Sequence, residues 1–595
     1  MRGTCVPLVG RCSEDRPASV FVEMYLRRIT RKKSGVQHGY WALVESVRTA
    51  RGPRQRVVAY LGDVEEEHRL GVARAASGQP HQSELFEPKE PEWVEVDARR
   101  VYVERARSFG GHWLALETIK SLGLDTFLAE HLEEGRAEVG WDLIAQILVV
   151  QRLVDPSSEL SIAERSYEKS ALADLLGVPP SKVNDDRLYR ALDRLLVHKG
   201  ALEKHLKTRA GELFGLEYDL LLYDVTSTFF EGAAQGNPQA KRGYSRDQRP
   251  DCKQVTIALV VSREGFPLGY EVFDGNRADS TTVEEIVECI EERYGKSGRV
   301  WAMDRGMASE DNLAFLRQDD RRYIIGTPKS GLKAFESKLL EGEWSQIREG
   351  LEVQMCASED GTETFILCRS SDRRDKERAI HERFERKIEA GLAKVQASCL
   401  KRKLNPGRTE RRIGRLLGQN TRAEKLFEVD VNTRADGGAE ISWHKREEMR
   451  TWSELSEGCY MLRTNIAGWS GEELWKAYIQ LTQAESAFRI CKSELGLRPV
   501  WHQKQERVQA HILVCFLAYV LWKALGLMCV QAGLGDSSRK LLDEMAVIQM
   551  VDVVLPTRSG DEIRKRCVSL PEPHLAALLD RLKLELPRNL QQHKL

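Results

Sequence analysis

Tyr218-Asp219-Leu220-Leu221-Leu222-Tyr223-Asp224-Val225 is an apolar run of strand length that reaches an acid near its end. Beyond it the pattern alternates. Val255 to Val261 and Phe266 to Phe273 are two more strand-like runs, joined by Ser262-Arg263-Glu264-Gly265, which has hairpin-turn composition. Thr281 followed by Glu284 predicts a capping box that opens an amphipathic helix stopping at Gly295. Val300 to Met303 predicts a fourth strand, Glu310 to Leu316 a helix, and Tyr323 to Gly326 a fifth strand.

The order β-β-β-α-β-α-β over residues 216–334 matches a ribonuclease-H-like core, a mixed sheet with helices on its faces. In such a core the first and fourth strands are neighbours. Asp224 is expected to end the first strand and Asp304 the fourth, in Trp301-Ala302-Met303-Asp304-Arg305-Gly306. They should therefore converge despite lying 80 residues apart. Singly, either acid reads as a turn or cap residue. As a pair on adjacent strands they suit Mg²⁺, a hard cation held by carboxylates and substrate phosphates.

A third acid lies further on. Ser470 and Glu473 predict a capping box at the start of a helix, which Gly496 and Pro499 end. Tyr478, Glu485 and Lys492 recur every seven residues along it, two helical turns each, with Leu481, Phe488 and Arg489 beside them. Such a stripe can simply face solvent. Trp475, Ala484, Ala487 and Phe488 instead imply packing on at least one side, and an acid flanked by cations fits metal ligation with phosphate contact.

Residues 1–75 read as a β-rich module, with a hairpin of Tyr40–Arg48 and Gln55–Tyr60 around Arg51-Gly52-Pro53. Arg27, Arg28, Arg31, Lys32 and Lys33 there either meet DNA phosphates or form a solvated basic loop. Residues 76–109 read as a linker, and 110–215 as a helical domain in which Asn184 caps a helix; it is either a DNA-reading module or a plain bundle. Residues 335–470 read as an insertion, partly β and basic: Gly391 to Lys425 holds ten Lys/Arg against two Glu. Residues 471–535 complete the core, and 536–595 form a mixed tail.

Lys+Arg and Asp+Glu are both 90, so any nucleic-acid surface must come from local segregation of charge. The twelve scattered cysteines, without a CxxC pair, read as reduced thiols of a cytoplasmic protein. There is no secretory leader, and the longest apolar run, Ile512 to Trp522, is too short for a bilayer span and reads as a buried helix. No Ser/His/Asp triad or phosphate-binding glycine loop stands out, and His502 and His511 read as structural.

The Tyr478/Glu485/Lys492 stripe resembles the Y-x(2)-R-x(3)-E-x(6)-K signature of DDE transposases of bacterial insertion sequences, in the branch with a β-rich insertion before the last catalytic helix. Leu481 stands where the Arg is expected, and Arg489 is the candidate replacement. Tyr223 to Gly232, Arg242 to Asp247, Asp304 to Met307 and Leu497 to His502 resemble the same branch. The resemblance implies that Asp224, Asp304 and Glu485 hold Mg²⁺ (or Mn²⁺ in its place). It implies phosphate contacts from Tyr478, Arg489, Lys492, Arg305, Arg242 and Arg246, and cleavage of terminal inverted repeats with strand transfer into target DNA. A dimer or larger synaptic complex, without a membrane, is expected. The competing readings are a decayed DNA-binding repressor and a nuclease without strand transfer.

Overall fold

The computed structural model describes residues 24–33, 36–49, 52–62, 94–132, 137–296 and 298–587. Cys5, Cys12 and most of the expected linker lie outside them. The chain divides into two compact units, Met1–Asp97 with Thr557–Gly560, and Ala98–Pro556 with Asp561–Leu595.

In the first unit β1 (Met24–Lys33), β2 (Val36–Thr49) and β3 (Gly52–Gly62) form an antiparallel sheet in that order. The expected hairpin is present as β2 and β3, paired out to Thr49 and Gly52. The basic cluster, for which a solvated loop was one of the two readings, lies on strand β1. It pairs with β2 from Met24/Glu45 to Lys33/Val36, and pairing overrides its weak intrinsic β preference.

The second unit opens on β4 (Tyr102–Ser108), inside the expected linker. Its partner is β16 (Gln549–Pro556), which also pairs with β17 (Glu562–Val568). Among the described residues, five helices of eight residues or more follow: α1 (Gly110–Ser121), α2 (Leu124–His131), α3 (Trp141–Val154), α4 (Asp185–Leu196) and α5 (Lys199–Phe214). Asn184 caps α4 as expected, accepting from the Arg187 N–H at 2.9 Å.

The main sheet has nine strands in the order β10-β11-β12-β15-β9-β8-β5-β6-β7. Its middle comprises β5 (Leu220–Phe229), β6 (Gln254–Ser262), β7 (Pro267–Asp274), β8 (Val300–Met303) and β9 (Arg322–Gly326). β5/β8 and β8/β9 pair in parallel, while β5/β6 and β6/β7 are antiparallel. Two helices, α6 (Val283–Tyr294) and α7 (Glu310–Arg317), cover one face. α6 ends at Gly295 as expected, but its start differs. A 3₁₀ turn over Asp279–Thr282 precedes it, and the Thr281 hydroxyl bonds the Ala278 carbonyl at 2.7 Å instead of forming a capping box. A hydroxyl satisfied locally is not available to cap the helix.

β10 (Ser345–Arg348), β11 (Leu351–Ala357), β12 (Thr364–Ser370) and β15 (Cys459–Thr464) extend the sheet beyond β9. Between β12 and β15 stands a lobe of α8 (Ser371–Lys401), α9 (Pro406–Gly418), the hairpin β13 (Phe427–Thr433)/β14 (Ala439–Lys445) and α10 (Glu447–Ser456). It has its own core, in which Ile388, Leu392, Val395 and Cys399 of α8 meet Ile413, Phe427 and Ile441. α8 is charged nearly throughout, and only that four-three-four spacing betrays its packed face.

α11 (Gly471–Ile479) and α12 (Thr482–Ser493) follow β15, and then α13 (Gln505–Gln531). α13 runs well past Lys523, so the apolar run is part of a helix long and apolar enough to cross a membrane; 83% of its apolar window is buried inside the protein. It packs on α3, α4 and the sheet as a core helix. α14 (Ser538–Met545) and α15 (Pro573–Arg581) complete the described helices of eight residues or more. All ten described cysteines are free thiols.

Candidate functional site

Alternation along β5 decides where Asp224 points. Leu221, Tyr223 and Val225 enter the core under α6 and α7, while Leu220 and Leu222 enter the larger core shared with Ala484, Ala487 and Phe488 of α12. Asp224 follows Leu222 on the α12 face. It does not end the strand, as expected, but sits in its middle, because antiparallel pairing with β6 carries β5 on to Phe229. The parallel ladder with β8 does stop there, at Tyr223/Met303. Asp224 and Asp304 are therefore the next residues on two adjacent strands.

Asp304 stands at the N-cap of a 3₁₀ turn, Arg305–Met307, yet its side chain caps nothing. Glu485 lies on the exposed side of α12. Among the described residues neither carboxylate makes a side-chain hydrogen bond or ion pair. The charges of Asp304 and Glu485 reach Asp224, and that of Asp304 reaches Glu485. Burial, then Asp304 and Glu485, push the Asp224 carboxyl up to about 7, against the Val225 N–H and Arg246. Partial desolvation and Asp304 raise Glu485. Groups displaced in this way mark functional sites more often than structural ones.

Tyr478 and Glu485 were expected on one helix, but the chain breaks between them. The Thr482 hydroxyl takes the Ile479 carbonyl at 2.8 Å, and the backbone tightens into i→i+3 bonds at Gln480 and Leu481. Leu481 is 5% exposed and belongs to the main core, so an arginine there would be buried. Tyr478 lies on the same side as the acids: Asp304 and Glu485 both oppose its ionisation, after burial. A Cβ built on Gly326 would lie 2.5 Å from the Tyr478 hydroxyl and 3.2 Å from the Arg305 backbone nitrogen. We expect Gly326→Ala to cost about 1–3 kcal/mol of stability through overpacking. A melting curve checks this, and an unchanged melt would show that the Tyr478 hydroxyl gives way without cost.

The expected cations divide into two groups. Arg242, Arg305 and Arg489 are exposed, and among the described residues none has a carboxylate partner; Arg489 donates only to Ser486 Oγ at 3.2 Å. Arg246 pairs with Asp279 and lies close enough to Asp224 to favour its ionised form. Lys492 is not a free phosphate ligand. It is buried against Asp247 at 2.9 Å, since its helical position turns it inward beneath the 241–252 loop.

One cluster escaped the sequence reading. Glu159, His502 and His511 bring ligand atoms within 4.8 Å of one another. Arg152 stands among them, 4.0 Å from the Glu159 carboxylate and 3.5 Å from His511 Nδ1, and donates to the Gly496 carbonyl at 3.2 Å. Burial works against the Glu159 charge, but His502, His511 and Arg152 outweigh it. A guanidinium inside the cluster opposes a second cation, so it reads as an ionic anchor between α3 and the segment after α12. Glu159 and His502 lie 343 residues apart, with no local signal to pair them. The acid triad is not within the same 4.8 Å limit. Ions about 3.5–4 Å apart, each ligated at about 2 Å, need a wider set of acids than that.

The family model for the transposase DDE domain matches residues 217–521, just over half of the 595, and the chain belongs to that transposase family. The model for the N-terminal domain of IS1634 family transposases matches residues 26–84. No curated protein matches. Among solved structures, the cryo-EM structure of a piggyBac transposase synaptic complex with hairpin DNA is similar at 8% identity and a TM-score of 0.35. That match covers 76% of this chain and 82% of the other, a distance at which it carries no argument.

Proposed function

We propose that this transposase cleaves DNA at the terminal inverted repeats of an insertion sequence and joins the freed ends to target DNA, with Asp224, Asp304 and Glu485 as metal ligands. The observation that carries the reading is that Asp224 and Asp304 are the residues next after the last β5/β8 pair, on the face where Ala484 and Phe488 of the Glu485 helix pack. The five middle strands, ordered β9-β8-β5-β6-β7 with parallel pairs only around β8, support a ribonuclease-H-like core.

The donor set fits Mg²⁺ or Mn²⁺: three carboxylates offer hard oxygens, and two of them, Asp304 and Glu485, have no side-chain hydrogen bond or ion pair among the described residues. When bound, such ions activate an attacking oxygen and stabilise the leaving one during in-line displacement. Asp224, Asp304 and Glu485 would hold such an ion. Arg305, Arg489 and Arg242 are free to neutralise phosphate oxygens, and Tyr478 to donate a hydrogen bond. In the lobe between β12 and β15, all ten cations from Lys394 to Lys425 are exposed, and among the described residues none has a carboxylate partner. That surface suits a second run of DNA phosphates. We propose the boundaries 1–75, 76–109, 110–215, 216–334, 335–470, 471–535 and 536–595 as its domains, a cytoplasmic location, and a dimer or larger assembly on two DNA ends.

The test is incubation of the purified chain with inverted-repeat duplex, target plasmid and Mg²⁺. Joined products support transposition, cleavage without joining leaves a nuclease, and binding without cleavage leaves a repressor. Arg489→Ala or Arg305→Ala should lower the salt slope of DNA binding by about one unit each.

Acidity gives a separate prediction. With its carboxyl raised to about 7, Asp224 holds a proton that competes with the metal. Metal affinity should fall up to about tenfold per unit as pH drops below that value. Without metal the sign reverses: the stability from this proton is fully present below the unfolded value near 3.8 and is lost as pH rises through about 7. Mn²⁺ titrations from pH 6 to 8 check the first trend and metal-free melts the second.

A further inference from the structure

Lys492 occupies the position where a phosphate-binding cation was expected, yet its side chain is 9% exposed and that of Asp247 only 3%. Oδ1 of Asp247 accepts from Lys492 Nζ and also from Arg498. The other oxygen, Oδ2, is buried without a hydrogen-bond partner. A phosphate can reach this ammonium only by breaking a buried pair, which is strongly unfavourable.

The pair and Arg498 join three segments around the acids. Asp247 belongs to the loop whose Arg246 faces Asp224. Lys492 lies two turns after Glu485 on α12. Arg498 precedes the stretch docked on the end of β5, where the Val500 N–H donates to Phe229 at 2.9 Å and the Glu231 N–H to Val500 at 3.0 Å. α12 rests on β5 and β6 largely through Ala484, Ala487, Phe488 and Cys491. Ala484, Ala487 and Cys491 allow close approach and Phe488 anchors the middle of the helix, while the ion pair fixes its C-terminal end.

We infer that Asp247 is a positioning residue: its carboxylate ties the helix carrying Glu485 to the loop facing Asp224 and so sets the direction in which Glu485 points. This rests on the reading of the three acids as metal ligands. It also shifts the phosphate contacts to Arg489, Arg305 and Arg242.

The experiment measures Mn²⁺ binding to the full chain from the magnetic resonance signal of the free ion. The proteins are wild type, Asp247→Asn, Asp247→Glu, Lys492→Met and the double variant Asp247→Asn/Lys492→Met, with Asp224→Asn as the control. Loss of an outer partner of a metal ligand costs on the order of 10- to 100-fold in affinity, and either single variant should show a loss of that size. The double variant should be no worse than Asp247→Asn alone, because that substitution already removes the Lys492 pair together with the Arg498 pair. Asp247→Glu should recover most of the affinity. Lys492→Met should leave the salt slope of binding to inverted-repeat duplex unchanged.

Unaltered Mn²⁺ affinity in Asp247→Asn, or losses that add in the double variant, overturn the inference. So does a slope lowered by one unit in Lys492→Met with tighter DNA binding in Asp247→Asn, which would make Asp247 a competitor of DNA for the lysine. Should Asp247→Asn not fold, Asp247→Glu and Lys492→Met carry the same comparison. Wild type without Asp224-dependent Mn²⁺ binding sinks the metal reading itself, and this inference with it.

Discussion

Asp224→Asn and Glu485→Gln should each reduce Mg²⁺-dependent cleavage of inverted-repeat DNA by about 10³-fold or more while leaving DNA affinity within a few-fold. The metal-borne stabilisation of an in-line displacement amounts to several kcal/mol, and about 4 kcal/mol corresponds to a factor of about 10³. A neutral amide is a far poorer ligand for a hard cation than a carboxylate. The two variants should differ in stability. Asp224 is half-buried and destabilised by its neighbours, so the amide relieves repulsion, and Asp224→Asn should melt no lower than wild type at pH 8. Glu485 is exposed and its replacement should be nearly silent in a melt. Gel-resolved cleavage, anisotropy titrations and melting curves make the comparison. Cleavage that persists in either variant takes that acid out of the mechanism.

The second large effect is expected at Gly275, far from the acids in sequence. A Cβ there would lie 1.8 Å from the Gln254 carbonyl oxygen and 2.6 Å from that of Lys241. Both are backbone atoms, so no side chain can swing away. Lys241 and Gln254 exchange backbone hydrogen bonds of 3.1 and 2.9 Å, and the buried Gln254 amide donates to the Gly275 and Tyr244 carbonyls at 2.7 and 3.0 Å. This knot fastens the loop that bears Arg242, Arg246 and Asp247. Gly275→Ala should therefore cost about 3–5 kcal/mol, at the upper end for a single substitution. It should also expose the loop to proteolysis and depress cleavage with it. A variant that melts within a degree or two of wild type would show that the loop is not held there.

The strands bearing the first two acids were legible because buried strands announce themselves as short apolar runs bounded by turn residues. Val300 to Met303 is β8 to the residue, and Tyr323 to Gly326 lies within β9. The capping box of Ser470 and Glu473 is present, with the Ser470 N–H donating to Glu473 at 2.8 Å. What could not be read was anything satisfied by a distant partner. β4 lay hidden in a linker because its ladder is formed with β16, more than 400 residues later. The lobe around α8 was hidden by its charge, since four buried apolar residues among 31 suffice to pack it.

Lys492 shows the same division at the site. Its spacing from Glu485 is written in the chain, and helical geometry alone puts both on one stripe. A stripe is wide, however, and only the loop bearing Asp247 decides that the lysine is enclosed while Glu485 and Arg489 stay open. Local pattern, whose period is set by backbone geometry, determined the order of the core elements. Tertiary structure decided which charges are spent on one another and which remain for DNA, because a charge is free only when no folded neighbour answers it, and the neighbours that answer come from elsewhere in the chain.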